Sequence, residues 1–327
     1  MHRELHLSAR FTVTRSGIQA TLQDEGRPHH RALGVPVSGA LDRAALHLVN
    51  ALVRNPANTA AIEMLYSGIT LELSGACARV ALAGANATIE RPGASALALP
   101  EWQTALLQPG DRLRVAAPAC SAAAYLAVEG GYAVPEVLGS ASTYVQGALG
   151  GHQGRALRAG DVLMLCSDAM LDIPERRYGM PPALAQPDVL RVILGPQRDR
   201  FTDDAVDRLL SAPYRVTPAS NRTGLRLDGP VLEHAKGHDL LSEAVATGSI
   251  QVPGSGQPVL LLADHPTVGG YPKIATLISA DWAAAGRLRI GATVRFELAD
   301  DAAAARARRD QREWIADRIA TIEATRG

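Results

Sequence analysis

Three stretches of this chain repeat one local pattern, a glycine turn followed by a strand of alternating apolar and polar residues. They are Gln108-Pro-Gly-Asp-Arg-Leu-Arg-Val115, Arg158-Ala-Gly-Asp-Val-Leu-Met-Leu165 and Arg289-Ile-Gly-Ala-Thr-Val-Arg-Phe296. The period of two places successive side chains on opposite faces, so each stretch fits a strand with one buried face. A turn at its start joins it to a neighbour as in the hairpins of a barrel or sandwich. Two copies precede residue 190 and one follows it. Between them, Pro174 to Pro187 holds four prolines among charged residues and reads as a linker. The expected architecture is mainly β, in two β-barrel-like subdomains with short helices and a C-terminal helix. The expected boundaries are 1–185 for an N-terminal β-rich subdomain, 186–300 for a second barrel, and 301–327 for the C-terminal helix.

The rest of the chain fills in this plan. Phe11 to Thr14, Ile62 to Tyr66, Ile69 to Leu73, Arg79 to Ala83, Ala96 to Leu99 and Tyr125 to Val128 read as short strands. One helix is expected near 40–54. Ser38 or Asp42 can cap it, Leu41, Ala45, Leu48, Val49 and Leu52 share a face, and Asn55-Pro56 ends it. A final helix is expected over Asp300 to Thr325, with Trp314, Ile315, Ile319 and Ile322 on one stripe. Gly147 to Gly154 is glycine-rich but lacks the Gly-Lys-Ser/Thr ending and opens no periodic helix. It is expected to be a flexible loop, neither a phosphate loop nor a dinucleotide fingerprint.

Composition removes several functional classes. Lys plus Arg and Asp plus Glu both number 33, so nothing favours nucleic acid or an anionic membrane surface. Aromatics are 4% of the chain, too few for base-stacking platforms. Cys77, Cys120 and Cys166 are far apart, with no Cys-x-x-Cys pair, and read as reduced thiols of a cytoplasmic protein. The opening residues contain no apolar leader core, and no run reaches membrane-spanning length. His234 and His238 have helical metal spacing, but Gly237 lies between them and loop histidines are expected.

Polar residues gather beside strand-like segments between Pro218 and Lys273. At one end Asn221 and Arg222 precede Leu225-Arg-Leu227. At the other, Val259 to Leu262 leads into Asp264, His265, Thr267, Gly269, Gly270, Tyr271 and Lys273. A buried strand ending in a glycine-rich polar loop presents chemistry from a rigid scaffold. Among 33 basic residues only Lys236 and Lys273 are lysines. An amine can lose its proton or act as a nucleophile, whereas a guanidinium cannot.

Six stretches in order resemble the biotin-dependent carboxyltransferase A/B-subdomain family. They are QDEGR (Gln23 to Arg27), GVPVSGALD (Gly34 to Asp42), GPQ (Gly195 to Gln197), SNRTGLRLDG (Ser220 to Gly229), SIQVPGSGQP (Ser249 to Pro258) and LLADHPTVGGYPK (Leu261 to Lys273). Members of that family include the C subunit of 5-oxoprolinase (KipA-type), the second subunit of allophanate hydrolase and part of urea carboxylase. The resemblance implies a cyclophilin-like second subdomain. It also implies one component of an ATP-dependent complex that hydrolyses 5-oxo-L-proline to L-glutamate, with a KipI-type B subunit and a LamB/YcsF-type A subunit as partners. Neither lysine has a methionine neighbour and no nucleotide loop is recognised, so no biotin is expected on this chain and ATP is expected at the level of the complex. Lys273, Asn221 and Asp264 are then the catalytic candidates. Arg222, Gln197, Gln251, Tyr271 and Thr267 are the substrate-binding candidates, with Arg222 a clamp for a carboxylate. Pro266-Thr267-Val268 departs from the Gln-Thr-Thr-like stretch of many relatives. The competing expectations are a carboxyltransferase half of a urea-degrading system and a non-catalytic partner of a KipI-type kinase inhibitor.

Overall fold

The computed structural model describes residues 9–166 and 173–325. The absence of an apolar leader core was read partly from residues 1–8, which lie outside that range. The protein is mainly β. It divides into two compact units that are not contiguous in sequence. One takes the chain up to Gly26, Arg43–Leu184 and the chain from Trp314. The other takes Arg27–Asp42 and Ala185–Glu313. The linear boundaries expected from the proline-rich stretch therefore misplace 27–42, which belongs to the second unit, where Ser38 N–H donates to Ala263 O at 3.1 Å.

The first unit contains two antiparallel sheets. One has six strands in the order Val162–Met164, Arg10–Arg15, Thr70–Ser74, Arg112–Val115, Ala87–Glu90 and Leu97–Leu99. The other has five, Gln19–Gln23, Ala61–Leu65, Ala123–Val128, Ala78–Ala83 and Thr104–Leu107. Inward residues of both sheets, among them Phe11, Val13, Leu71 and Leu73 from one and Leu22, Ile62, Val80 and Leu126 from the other, form a single buried cluster. This is the packing of a sandwich core. The helix Arg43–Leu52 buries Leu46, Leu48, Val49 and Leu52. Its buried Asn50 donates to Thr59 O at 2.7 Å.

The repeated glycine turn adopts one geometry in all three places. Gly110, Gly160 and Gly291 have φ of 92°, 92° and 87°, a region that L side chains rarely adopt. In each, the residue after glycine donates its N–H to the carbonyl three residues back: Asp111 to Gln108, Asp161 to Arg158 and Ala292 to Arg289. In the two Gly-Asp copies the carboxylate also accepts the N–H of the turn's first residue, at 2.9 Å and 2.7 Å. Arginine closes each of these: Arg91 onto Asp111 and Arg155 onto Asp161. Hydrogen bonding from Arg155 holds the Asp161 carboxyl down at about 2.

The second unit contains a closed barrel of seven strands. Their order around the barrel is Val189–Leu194, Lys273–Leu277, Ser249–Gln251, Val259–Leu261, Gly224–Asp228, Tyr214–Val216 and Thr293–Leu298. Closure is made by a parallel pair, Val189–Leu194 beside Thr293–Leu298, and not by a hairpin. A two-stranded ribbon, Glu243–Ala244 against Val268–Gly269, is separate from the barrel ladder.

Three expectations are corrected. The linker is shorter than 174–187, because Arg176–Tyr178 pairs with Ile322–Ala324. Tyr178 in it is buried and donates to Leu48 O at 2.8 Å. The last helix runs Asp301–Ala320 and stops before that strand. Its expected apolar stripe is not a core face: Ala307 is its buried residue, and Ile319 is exposed. Gly147 to Gly154 is a tightly closed turn, since a side chain at Gly154 would meet the Ala148 carbonyl at 2.2 Å.

Candidate functional site

The candidate residues fall at two opposite ends of the barrel. Strand register decides this. Lys273 opens its strand and pairs with Gln251, which pairs with Val259. Asn221 sits at the hairpin turn between Tyr214–Val216 and Gly224–Asp228, bridged to Gly224. Gly224 pairs with Leu261 at the far end of the Val259–Leu261 strand. Two strands intervene between Lys273 and this hairpin by either route around the barrel. With strands about 4.8 Å apart, Asn221 and Lys273 are not neighbours across one small ligand.

The Asn221 end is closed on itself. Asn221 is exposed, and its Oδ1 accepts the Thr223 N–H at 2.8 Å, a local turn bond. Arg222 grips Asp264 with two bonds, 2.8 Å and 3.1 Å, and donates to Gly39 O at 2.7 Å. The carboxylate that Arg222 clamps is thus Asp264 of its own chain. Next to them His265 is fully buried. Its Nε2 faces Arg31 Nη1 at 3.2 Å and Thr247 Oγ1 at 3.1 Å, and its Nδ1 lies 2.7 Å from Pro266 O. A guanidinium can only donate and a carbonyl can only accept, so the ring is neutral with its proton on Nδ1. Burial pushes the His265 pKa down to about 4.

At the other end the polar groups meet around Lys273. Gly195 lets the Gly-Pro-Gln corner lie against this strand: a side chain there would meet Lys273 O at 2.1 Å. Gly195 N–H donates to Ile274 O at 2.8 Å. Gln197 then follows at the right place for its Oε1 to accept the Lys273 N–H at 3.2 Å. That bond turns the amide nitrogen toward Glu243, whose Oε1 accepts from Gln197 Nε2 at 2.7 Å. Lys273 Nζ donates to the same oxygen. Gln251 Nε2 faces Tyr271 O at 3.4 Å, and Gly269 lies over it, where a side chain would meet that nitrogen at 2.6 Å. The Tyr271 ring is partly exposed, and Thr267 is buried, with its carbonyl accepting the Val245 N–H at 3.2 Å. The hydrogen bond from Lys273 lowers the Glu243 pKa, so that carboxylate stays ionised at neutral pH.

The sequence reading missed Glu243. It lies in a polar stretch with no periodicity, and only the fold carries it to Lys273. His234 meets His238 edge-on and lies tilted against Phe201. Among the described residues no cluster of metal-ligating side chains forms, and no helix is long and apolar enough to cross a membrane.

A two-unit β protein with a seven-stranded barrel and this ordered set of motifs defines a class, and comparison with known proteins fixes it. Residues 33–298 match the family model of the carboxyltransferase domain, subdomain A and B, and the chain belongs to that family. It is 34% identical to the C subunit of 5-oxoprolinase from Haemophilus influenzae over 304 residues, which is 93% of this chain and 96% of that protein. It is also 34% identical to the C subunit of 5-oxoprolinase from Escherichia coli over 303 residues, again 93% and 96%. Among solved structures, Kluyveromyces lactis urea carboxylase superposes with a TM-score of 0.84 at 27% identity over 95% of this chain. The chain spans 29% of that larger protein.

Proposed function

We propose that this chain is the C subunit of an ATP-dependent 5-oxoprolinase complex of the cytoplasm, which hydrolyses 5-oxo-L-proline to L-glutamate. The match to two proteins of that name along nearly their whole length carries the reading. The partners are then a KipI-type B subunit and a LamB/YcsF-type A subunit. ATP is a co-substrate of the complex, and no residue of this chain is assigned to it.

The chemistry assigns work to the Lys273 end. A lactam resists attack by water. Transfer of the γ-phosphoryl group to its carbonyl oxygen, with release of ADP, makes the ring carbon a better electrophile. Water then adds at that carbon, the ring C–N bond opens with the nitrogen taking a proton to leave a γ-glutamyl phosphate, and a second water displaces phosphate to give glutamate. Substrate carboxylate and developing phosphate charge both call for a fixed cation with little water around it. Lys273 supplies that cation, and Gln197 supplies a donor whose orientation is already set. Gln251 and Tyr271 flank them as substrate contacts. Carboxylate recognition thereby moves from Arg222 to Lys273 and Gln197.

The likeness to urea carboxylase supports a second reading, a carboxyltransferase half acting on urea or a urea derivative. One experiment tests both. The chain is co-purified with its KipI-type and LamB/YcsF-type partners and assayed for ATP-dependent release of glutamate from 5-oxo-L-proline. Turnover by the complex and none by the isolated chain is expected. Turnover of urea in a biotin-dependent assembly, with none of 5-oxo-L-proline, replaces the first reading with the second.

A further inference from the structure

We propose that Lys273 Nζ and Gln197 Nε2 form a carboxylate-binding fork whose resident occupant is Glu243, an internal ligand that an incoming carboxylate displaces. This rests on the reading of the Lys273 end as the working site and names how that site is held closed.

Four observations carry it. Two donors from separate elements converge on one oxygen, Glu243 Oε1. Both donors are positioned independently of Glu243. Lys273 starts a barrel strand, and the Gln197 amide is oriented by the Lys273 N–H and by the glycine-dependent approach of its corner. A fork that survives removal of its occupant is a site and not merely a salt bridge.

The third observation is the asymmetry of burial. The Lys273 side chain is 4% exposed, and that of Glu243 is 46% exposed. When Glu243 leaves, it returns to water, whereas Lys273 stays desolvated and needs another anion. The fourth is the anchorage of Glu243. Its ribbon is held by two residue pairs, Glu243 with Gly269 and Ala244 with Val268, and flanked by Leu240 N–H to Gly270 O at 2.8 Å and Val245 N–H to Thr267 O at 3.2 Å. The residues before it are exposed, Leu241 at 94%. The ribbon can stay in place, since only the half-exposed Glu243 side chain has to swing into water. Since Glu243 is ionised at neutral pH, displacement exchanges one carboxylate for another and leaves the net charge of the site unchanged.

An internal ligand weakens apparent affinity by the fraction of time it leaves the fork open. Occupancy of nine-tenths raises an apparent Kd about tenfold. The test is calorimetric titration of the full chain with acetate, 5-oxo-L-proline and its carboxylate-free analogue pyrrolidin-2-one. Glu243→Gln is expected to bind acetate about tenfold more tightly than the native chain. The double variant Glu243→Gln, Lys273→Met is expected to lose that binding. Glu243→Asp, one methylene shorter, is expected to lie between the native chain and Glu243→Gln, and it decides the matter if Glu243→Gln does not fold. Acetate affinity unchanged or weakened in whichever variant folds overturns the proposal. Tighter acetate binding with no preference for 5-oxo-L-proline over pyrrolidin-2-one keeps the fork and ends the 5-oxoproline assignment. Turnover by the complex with no change in acetate affinity ends the internal ligand and leaves the assignment standing.

Discussion

At one end of the second unit's barrel, Arg222 and Asp264 have side chains 2% and 6% exposed. At the other, Lys273 and Glu243 are 4% and 46% exposed. Both pairs were legible only in part as lone charges beside strands, yet their burial separates them. Where both partners are inside, each is the only affordable company of the other, and the pair is committed to the fold. Where one partner is inside and the other half in water, the inner charge is held by the scaffold while its counter-ion can be exchanged. In these two pairs, symmetric burial goes with the committed pair and asymmetric burial with the exchangeable one.

The largest expected effect breaks the closed end. Arg222→Ala strands Asp264 in a buried site and is expected to cost about 3–5 kcal/mol of stability, read from urea unfolding. Its turnover per folded molecule should change little. A stable Arg222→Ala protein that has lost turnover would reverse the comparison.

The two ends should also part company in acid. The pKa of His265 in the fold, about 4, lies below its unfolded value of about 6.5. The unfolded chain therefore binds more protons between those values, and stability falls as pH drops from about 6.5 to about 4, by roughly 3 kcal/mol. His265→Gln should flatten that limb. Glu243 has a lowered pKa in the fold, so its pairing contributes fully above the ordinary glutamate range, about 4.3. That contribution is lost only as pH falls through the lowered value, and Glu243→Gln should leave the limb above pH 5 unchanged.

Lys273→Ala should slow the assembled complex about a hundredfold, equivalent to about 2.7 kcal/mol in the barrier. It should cost less stability than Arg222→Ala, because the Glu243 it leaves behind is already half in water. Lys273→Arg should not restore turnover, since the planar guanidinium differs in reach and hydrogen-bond geometry. The smallest effect is expected from Asn221→Ala. It removes one exposed turn bond and should cost at most about 1 kcal/mol, with turnover unaltered.

The sequence carried the turns and strands well, because their causes are local. A glycine at positive φ closing a four-residue turn has a local cause, and all three copies fold as one motif, two of them with an aspartate that caps its own turn. The site was legible in its residues and not in their grouping. Gln197 and Lys273 stand 76 positions apart and meet because two neighbouring barrel strands pair antiparallel. Arg222 read as free to meet substrate because its counter-ion, Asp264, lies 42 positions later. An acid and a base at the two ends of one polar stretch were a signal for that pair. Glu243 gave no signal, since a two-residue ribbon has no period to detect.

The distinction between the two ends is tested most directly by turnover per folded molecule in the reconstituted complex, measured side by side for Lys273→Ala and Arg222→Ala, with the folded fraction taken from unfolding curves on the same preparations. The account predicts that Lys273→Ala loses about a hundredfold while remaining folded. Arg222→Ala should lose folded protein and keep its turnover per folded molecule. Near-native turnover in folded Lys273→Ala, together with loss of turnover in folded Arg222→Ala, would contradict it.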